Sequence, residues 1–234
     1  MKKIVIGVMC LFILFLFTGC EVKKDNQAAL DFKEEYESLN GVKNSRGVEH
    51  RTITIPEDNP YEKVDPNRIV EMIENKESFY LYVGDSLCPW CRSVLEKSIE
   101  VAKENNIEKI YYVEIWDDEG TEIFRDKYEL QEGVPVQTIE GVDAYHTLLE
   151  TFDKVLSDYT LRDEDGKTVE VGEKRIYAPN YFYIQNGKVV RMVEGYSSSL
   201  EDPRGELTEE VLQDEEKQFM KLFTSDTICT EEGC

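Results

Sequence analysis

A short apolar run, Phe79 to Val83, ends at Gly84 and is followed within a few residues by Cys88-Pro89-Trp90-Cys91. The run is aromatic and β-branched and reads as a buried strand. Beyond the cysteines, Val94, Leu95, Ile99, Val101 and Ala102 recur at helical spacing as far as Asn105-Asn106, and Ile110 to Trp116 is another apolar strand. The spacing predicts strand, helix, strand, with the cysteine pair at the first strand-to-helix junction. No other feature constrains the chain as much, because this unit implies an α/β fold.

The junction also has chemical meaning. A thiol at a helix start meets unpaired N–H groups and the positive end of the helix dipole, and both favour the thiolate. Motifs of this kind lower the thiol pKa to roughly 3.5–7.5. Pro89 at the first helical turn has no N–H to leave unpaired. Cys88 is the candidate nucleophile and Cys91, one turn in, the candidate resolving thiol. Two other readings stand beside this one. The pair forms a permanent structural disulfide in a binding module, or it is half of a zinc site. Zinc needs four ligands, usually as two close pairs. Cys229 and Cys234 would be the second pair, but they lie far along the chain on a polar tail at wider spacing, and His50 and His146 are isolated. The strand–CxxC–helix context favours redox chemistry, with no metal and no organic cofactor; electrons would come from a partner protein.

Around this unit the periodicity predicts further elements. Phe32, Tyr36 and Leu39 mark a helix from Ala28 to a stop at Asn40-Gly41, and Thr52-Ile53-Thr54-Ile55 alternates as a strand closed by Pro56. Asp65-Pro66 is an N-cap followed by proline, opening a helix to about Asn75. Residues 117–174 read as an insertion. It holds one short helix through Ile123, Phe124, Tyr128 and Leu130, a second over Val142 to Leu156, and a small hairpin around Asp165-Gly166. Tyr181 to Ile184 and Lys188 to Val193 form a stronger hairpin across Asn186-Gly187, and Thr208 to Phe223 is helical. The acidic runs Asp163–Asp165 and Asp214–Glu216 read as solvated faces.

The first residues are a separate object. Lys2 and Lys3 precede an uncharged, mainly apolar run from Ile4 to Phe17, short for a membrane span and suited to an export signal. It ends at Phe17-Thr18-Gly19-Cys20, which resembles the bacterial lipobox, with Phe17 in place of the usual leucine. The resemblance implies cleavage after residue 19, lipid on Cys20, a tether over residues 20–27, and a chain anchored at the extracytoplasmic face of the cell membrane. Outside the cell, Cys88, Cys91, Cys229 and Cys234 would be the remaining thiols, in two close pairs. Cys229 and Cys234 either close a small loop in the tail, residues 225–234, or serve as a second redox pair that reaches Cys88.

Composition excludes some partners. The chain of 234 residues carries 27 Lys plus Arg against 49 Asp plus Glu, a net charge of −22. With no basic stripe, nucleic-acid binding is excluded and attraction to anionic lipid is disfavoured.

Phe79 to Trp116 with its CPWC resembles the core β-α-β of the thioredoxin superfamily. Tyr177-Ala178-Pro179-Asn180 leading into Tyr181 to Ile184, then Asn186-Gly187-Lys188, resembles the family's cis-proline segment and terminal hairpin. The wider pattern, over roughly residues 50–224, resembles extracytoplasmic thioredoxin-like lipoproteins of Gram-positive bacteria, including the bacteriocin transport accessory type. The resemblance implies a thioredoxin-like domain over residues 28–224, with the helical and hairpin insertion lying between the central β-α-β and the C-terminal hairpin plus helix. It also implies that Pro179 and Ala178 face the cysteines and bind extended substrate, with Trp90 either a further substrate contact or packed on the insertion. Gly133-Val134-Pro135-Val136 is a rival cis-proline lead, but no hairpin and terminal helix follow it directly. Exported proteins bearing thiols or disulfides, and a membrane redox partner, are the implied partners. The alternative is an accessory lipoprotein without redox activity that holds an exported peptide or a transporter. One departure stands out: cytoplasmic thioredoxins commonly place a buried acid six residues before the first cysteine, where this chain has Tyr82, and the nearest acid, Asp85, is in the loop.

Overall fold

The structure, a computed structural model, describes residues 26–117 and 120–224. The signal segment, Cys20, the tether before Asn26, and the tail with Cys229 and Cys234 lie outside the described residues. In chain order the elements are α1 (Gln27–Glu37), β1 (Tyr61–Lys63), α2 (Pro66–Glu74), β2 (Phe79–Gly84), α3 (Pro89–Glu104) and β3 (Ile110–Glu114). Then follow β4 (Lys127–Gln131), β5 (Val134–Ile139), α4 (Asp143–Phe152), β6 (Ser157–Arg162), β7 (Thr168–Arg175), β8 (Asn180–Gln185), β9 (Lys188–Val193) and α5 (Glu209–Phe223).

Five strands form the central sheet in the order β1-β3-β2-β8-β9. β3 runs parallel to both β1 and β2, whereas β8 is antiparallel to β2 and to β9. The period-two rule shows in β2. Phe79, Leu81 and Val83 point to one face and pack with Ile69 and Met72 of α2 and with Tyr145, Leu148 and Phe152 of α4. Tyr80 and Tyr82 point to the other, where Phe32 and Tyr36 of α1, Val94 and Leu95 of α3, and Phe219 and Leu222 of α5 lie. Helices cover both faces of a sheet with a parallel half and an antiparallel half, which is a thioredoxin-like fold. The β8–β9 turn is Asn186-Gly187, both at positive φ (50° and 72°), as a two-residue hairpin requires. Asp65 caps α2 by accepting the Asn67 N–H at 2.8 Å, with Pro66 at the first helical position.

Three expectations fail. Thr52–Ile55 forms no strand and pairs with none among the described residues. Its backbone groups are taken by side chains: Asn40 bonds both Ile53 N–H and Ile53 O, Glu96 accepts Thr54 N–H, and Glu37 accepts Ile55 N–H at 2.6 Å. The edge strand is instead Tyr61–Lys63, three residues with little apolar alternation. The short helix expected over Ile123–Leu130 is half of a hairpin, β4 paired with β5 across Glu132-Gly133, both at positive φ. Pro135 lies within that hairpin, opposite Leu130. The third failure is Glu215, in an acidic run expected to be solvated, which is fully buried on α5.

Candidate active site

Cys88 is the N-cap of α3, with extended backbone (φ −75°, ψ 120°) and Pro89 behind it in the first turn. Extended geometry at the cap lets the helix begin directly after Cys88. Cys88 is half-buried, Cys91 is fully buried, and both are free thiols. The Cys88 thiol is pulled below the ordinary cysteine range by the hydrogen bond from Cys91, aided by the N–H groups of Cys91 and Trp90, against burial and the Asp85 charge. Burial pushes the Cys91 thiol well up, the charge on Cys88 adds to this, and the Tyr82 hydroxyl works in the opposite direction. One thiol is thus poised as a thiolate and the other held as a protonated reserve.

Opposite the pair, the Ala178–Pro179 peptide bond is cis, and the Cys88 thiol donates to the Ala178 carbonyl at 3.7 Å. Among the described residues no other peptide bond is cis, that of Pro135 included. Tyr177, just before this loop, ties it to the insertion. The β6–β7 ladder shifts register between Asp158 and Thr160. The Tyr177 hydroxyl fills that bulge, donating to Asp158 O at 3.0 Å and accepting Thr160 N–H at 3.1 Å. Trp90 packs on the ring of Tyr196, centroids 4.8 Å apart, beyond β9 and outside the insertion. It also borders a groove of about 480 Å³ that reaches Pro179 and the β6 edge at Thr160.

Three groups at the site, Glu122, Arg125 and Arg175, escaped the sequence reading, as did the burial of a fourth, Asp85. Asp85 does lie in the β2–α3 loop, but it is buried, and burial pushes its carboxyl up to about 6. It accepts the Leu87 N–H at 2.5 Å, and its charge raises both cysteines. Arg125 and Arg175, both buried, share one acid: Glu122 Oε1 accepts from Arg125 Nε at 2.5 Å and from Arg175 at 3.0 Å. Arg175 also donates to Asp126 O at 2.7 Å and stacks on Tyr159 at 4.0 Å. Glu122 and Arg125 stand far from Arg175 and from the cysteines in the sequence; the one local signal was Lys174-Arg175, two basic residues just ahead of the proline segment. A cleft of about 630 Å³ opens between Cys88, Asp85, Arg125 and Arg175.

Comparison with known proteins adds little to this geometry. No family model matches the chain, and no curated protein matches it. Among solved structures, a thioredoxin-fold protein from Helicobacter pylori is similar at 16% identity and a TM-score of 0.25, over 81% of this chain and 96% of that one.

Proposed function

We propose that this chain is a thiol–disulfide oxidoreductase, tethered by lipid on Cys20 to the extracytoplasmic face of the cell membrane and acting on cysteines of exported proteins. The observation that carries the reading is the asymmetry of the two thiols: Cys88 half-exposed at a helix start with its pKa drawn down, Cys91 buried behind it with its pKa pushed up. That is the arrangement a two-step exchange needs. In the reducing direction the Cys88 thiolate attacks one sulfur of a substrate disulfide. A Cys88–substrate S–S bond forms, the substrate S–S bond breaks, and the leaving thiolate takes up a proton. Cys91 then loses its proton and attacks Cys88 Sγ, closing Cys88–Cys91 and releasing the second substrate thiol. Two electrons have passed from the pair to the substrate, and a membrane dithiol partner restores them. The reverse sequence oxidises a substrate dithiol.

Trapping tests the reading. Cys91→Ala should accumulate mixed disulfides with exported proteins, because the release step is gone, and Cys88→Ala should accumulate none. An empty trap in cells, with no reduction or oxidation of any test substrate by the wild type, would favour the tethered binding module. The anchor is tested separately: metabolic fatty-acid labelling should mark the wild type and leave Cys20→Ala unmarked.

A further inference from the structure

The cleft beside Cys88 runs against the charge of the whole molecule. Acids outnumber bases by 49 to 27 in the chain. Yet the cleft is lined by Arg46, Arg125, Arg175 and Arg204, and Asp85 is the one acid among its described lining residues. The two inner arginines are fixed by their bonds to Glu122, Asp126 O and Ile176 O. The two outer ones are exposed, and among the described residues neither forms an ion pair. Both stand on ordered turns. Asn44 Oδ1 accepts the Arg46 and Val48 N–H groups at 3.0 Å each, and Asp202 Oδ1 accepts the Arg204 N–H at 2.9 Å. The Arg51 guanidinium then holds the Arg204 turn from below, through Pro203 O and Gly205 O. Guanidinium groups presented in this way match carboxylates, and low-dielectric walls strengthen their field. At about 630 Å³ the space suits a small molecule or a few side chains.

We propose that this cleft selects carboxylate-bearing thiols and disulfides: an anionic group of the substrate sits among Arg46, Arg175 and Arg204 while its sulfur meets Cys88. The inference deepens the oxidoreductase reading and rests on it for the word substrate, but the recognition itself is testable without turnover. The carboxylate is supplied either by a small free thiol compound or by acidic residues flanking a protein cysteine.

Alkylation of the reduced protein isolates the effect. The Cys88 thiolate displaces iodide from iodoacetate or from iodoacetamide, giving a thioether and free iodide, and the two reagents differ by one carboxylate in place of an amide. The iodoacetate-to-iodoacetamide rate ratio at Cys88 is expected to exceed that of a simple cysteine peptide by about five-fold at low salt and to shrink at high salt. The net charge of the protein opposes such a preference, so a raised ratio reports the cleft. R46Q/R204Q, which replaces two exposed side chains, should bring the ratio most of the way to the peptide value. This variant also separates the arginines from the helix N-terminus, which it leaves intact. A ratio no higher than the peptide's, or one that R46Q/R204Q leaves unchanged, overturns the proposal, as does a Cys88 that reacts with neither reagent. A raised, arginine-dependent ratio in a protein that exchanges no disulfide would uphold the cleft and sink the oxidoreductase reading; turnover of neutral hydroxyethyl disulfide with a flat ratio would do the reverse. Dithiodipropionate and a disulfide peptide with glutamate flanks, each compared with its neutral analogue under dithiothreitol as reductant, identify the source. Preference for the first alone indicates a small thiol, preference for the peptide indicates a protein segment, and, where the disulfides do turn over, preference for neither overturns the proposal.

Discussion

The Tyr82 hydroxyl lies 2.9 Å from the Tyr36 hydroxyl, deep in the core, and it favours the thiolate of Cys91. Tyr82 holds the place where cytoplasmic thioredoxins commonly carry an acid. A phenol so buried stays protonated, since burial pushes its pKa far up. Toward a Cys91 thiolate it can therefore act only as a hydrogen-bond donor.

Tyr82→Phe should slow resolution. Loss of one hydrogen bond to a developing thiolate is worth about 1–1.5 kcal/mol, so mixed disulfides should persist about five to ten times longer. Alkylation of Cys88 should change little. Quenched-flow measurement of the mixed-disulfide lifetime checks this, and an unchanged lifetime would remove Tyr82 from the mechanism.

Asp85 acts on the Cys88 thiol. With its carboxyl pushed up to about 6, it is mostly ionised at neutral pH, and its charge raises both cysteine pKa values. Asp85→Asn keeps an acceptor for the Leu87 N–H and removes the charge. The alkylation profile of Cys88 should move to lower pH, with a rate at pH 7 roughly two- to five-fold higher. The difference should fade below about pH 5, where the wild-type carboxyl is neutral as well. A profile that stays in place would contradict the electrostatic account.

Glu215 makes stability depend on pH. It is fully buried, and neither carboxyl oxygen has a hydrogen-bond partner among the described residues. Burial pushes its pKa up to about 8, against the nearby charges of Arg51 and Lys97. The folded protein thus holds this proton more tightly than the unfolded chain does. The stabilisation is complete below the ordinary glutamate value near 4.3 and is lost as pH rises through about 8. Glu215→Gln should match the wild type at pH 4.5 and melt about 4 °C or more above it at pH 8.5. Parallel melting curves at the two pH values would contradict this.

Arg92 has a structural role next to the motif. Its buried guanidinium donates to Arg51 O, Tyr36 O, Ser86 O and Asn40 Oδ1, pinning α1 and two loops onto α3. Lysine cannot reproduce this planar fork. Arg92→Lys should cost about 3 kcal/mol, or roughly 6–12 °C in Tm, measured by thermal unfolding.

The sheet was readable where local and tertiary forces agree. Phe79–Val83 is a continuous aromatic and β-branched run, Gly84 breaks it, and Pro89 opens a helix whose apolar positions face the core, so β2, α3 and β3 could be read from residues alone. Reading failed where side chains overrode local preference. Thr52–Ile55 alternates like a strand, yet Asn40, Glu96 and Glu37 take its backbone groups. Lys127–Ile139 carries too little alternation, and a Glu132-Gly133 turn is a weaker signal than Asn-Gly. The cysteine pair and the proline segment were legible because each is a short contiguous motif. Glu122, Arg125 and Arg175 were not, because only tertiary packing brings them to Cys88, and the burial of Asp85, three residues before Cys88, was hidden for the same reason.

Mass-mapped alkylation of the reduced protein across pH tests the division of labour between the two thiols most directly. Cys88 should be labelled first, with its half-maximal rate at a pH below the ordinary cysteine value near 8.5, while Cys91 stays unlabelled until the protein unfolds. Equal labelling of both, preference for Cys91, or a Cys88 half-point at or above the ordinary value would contradict the account.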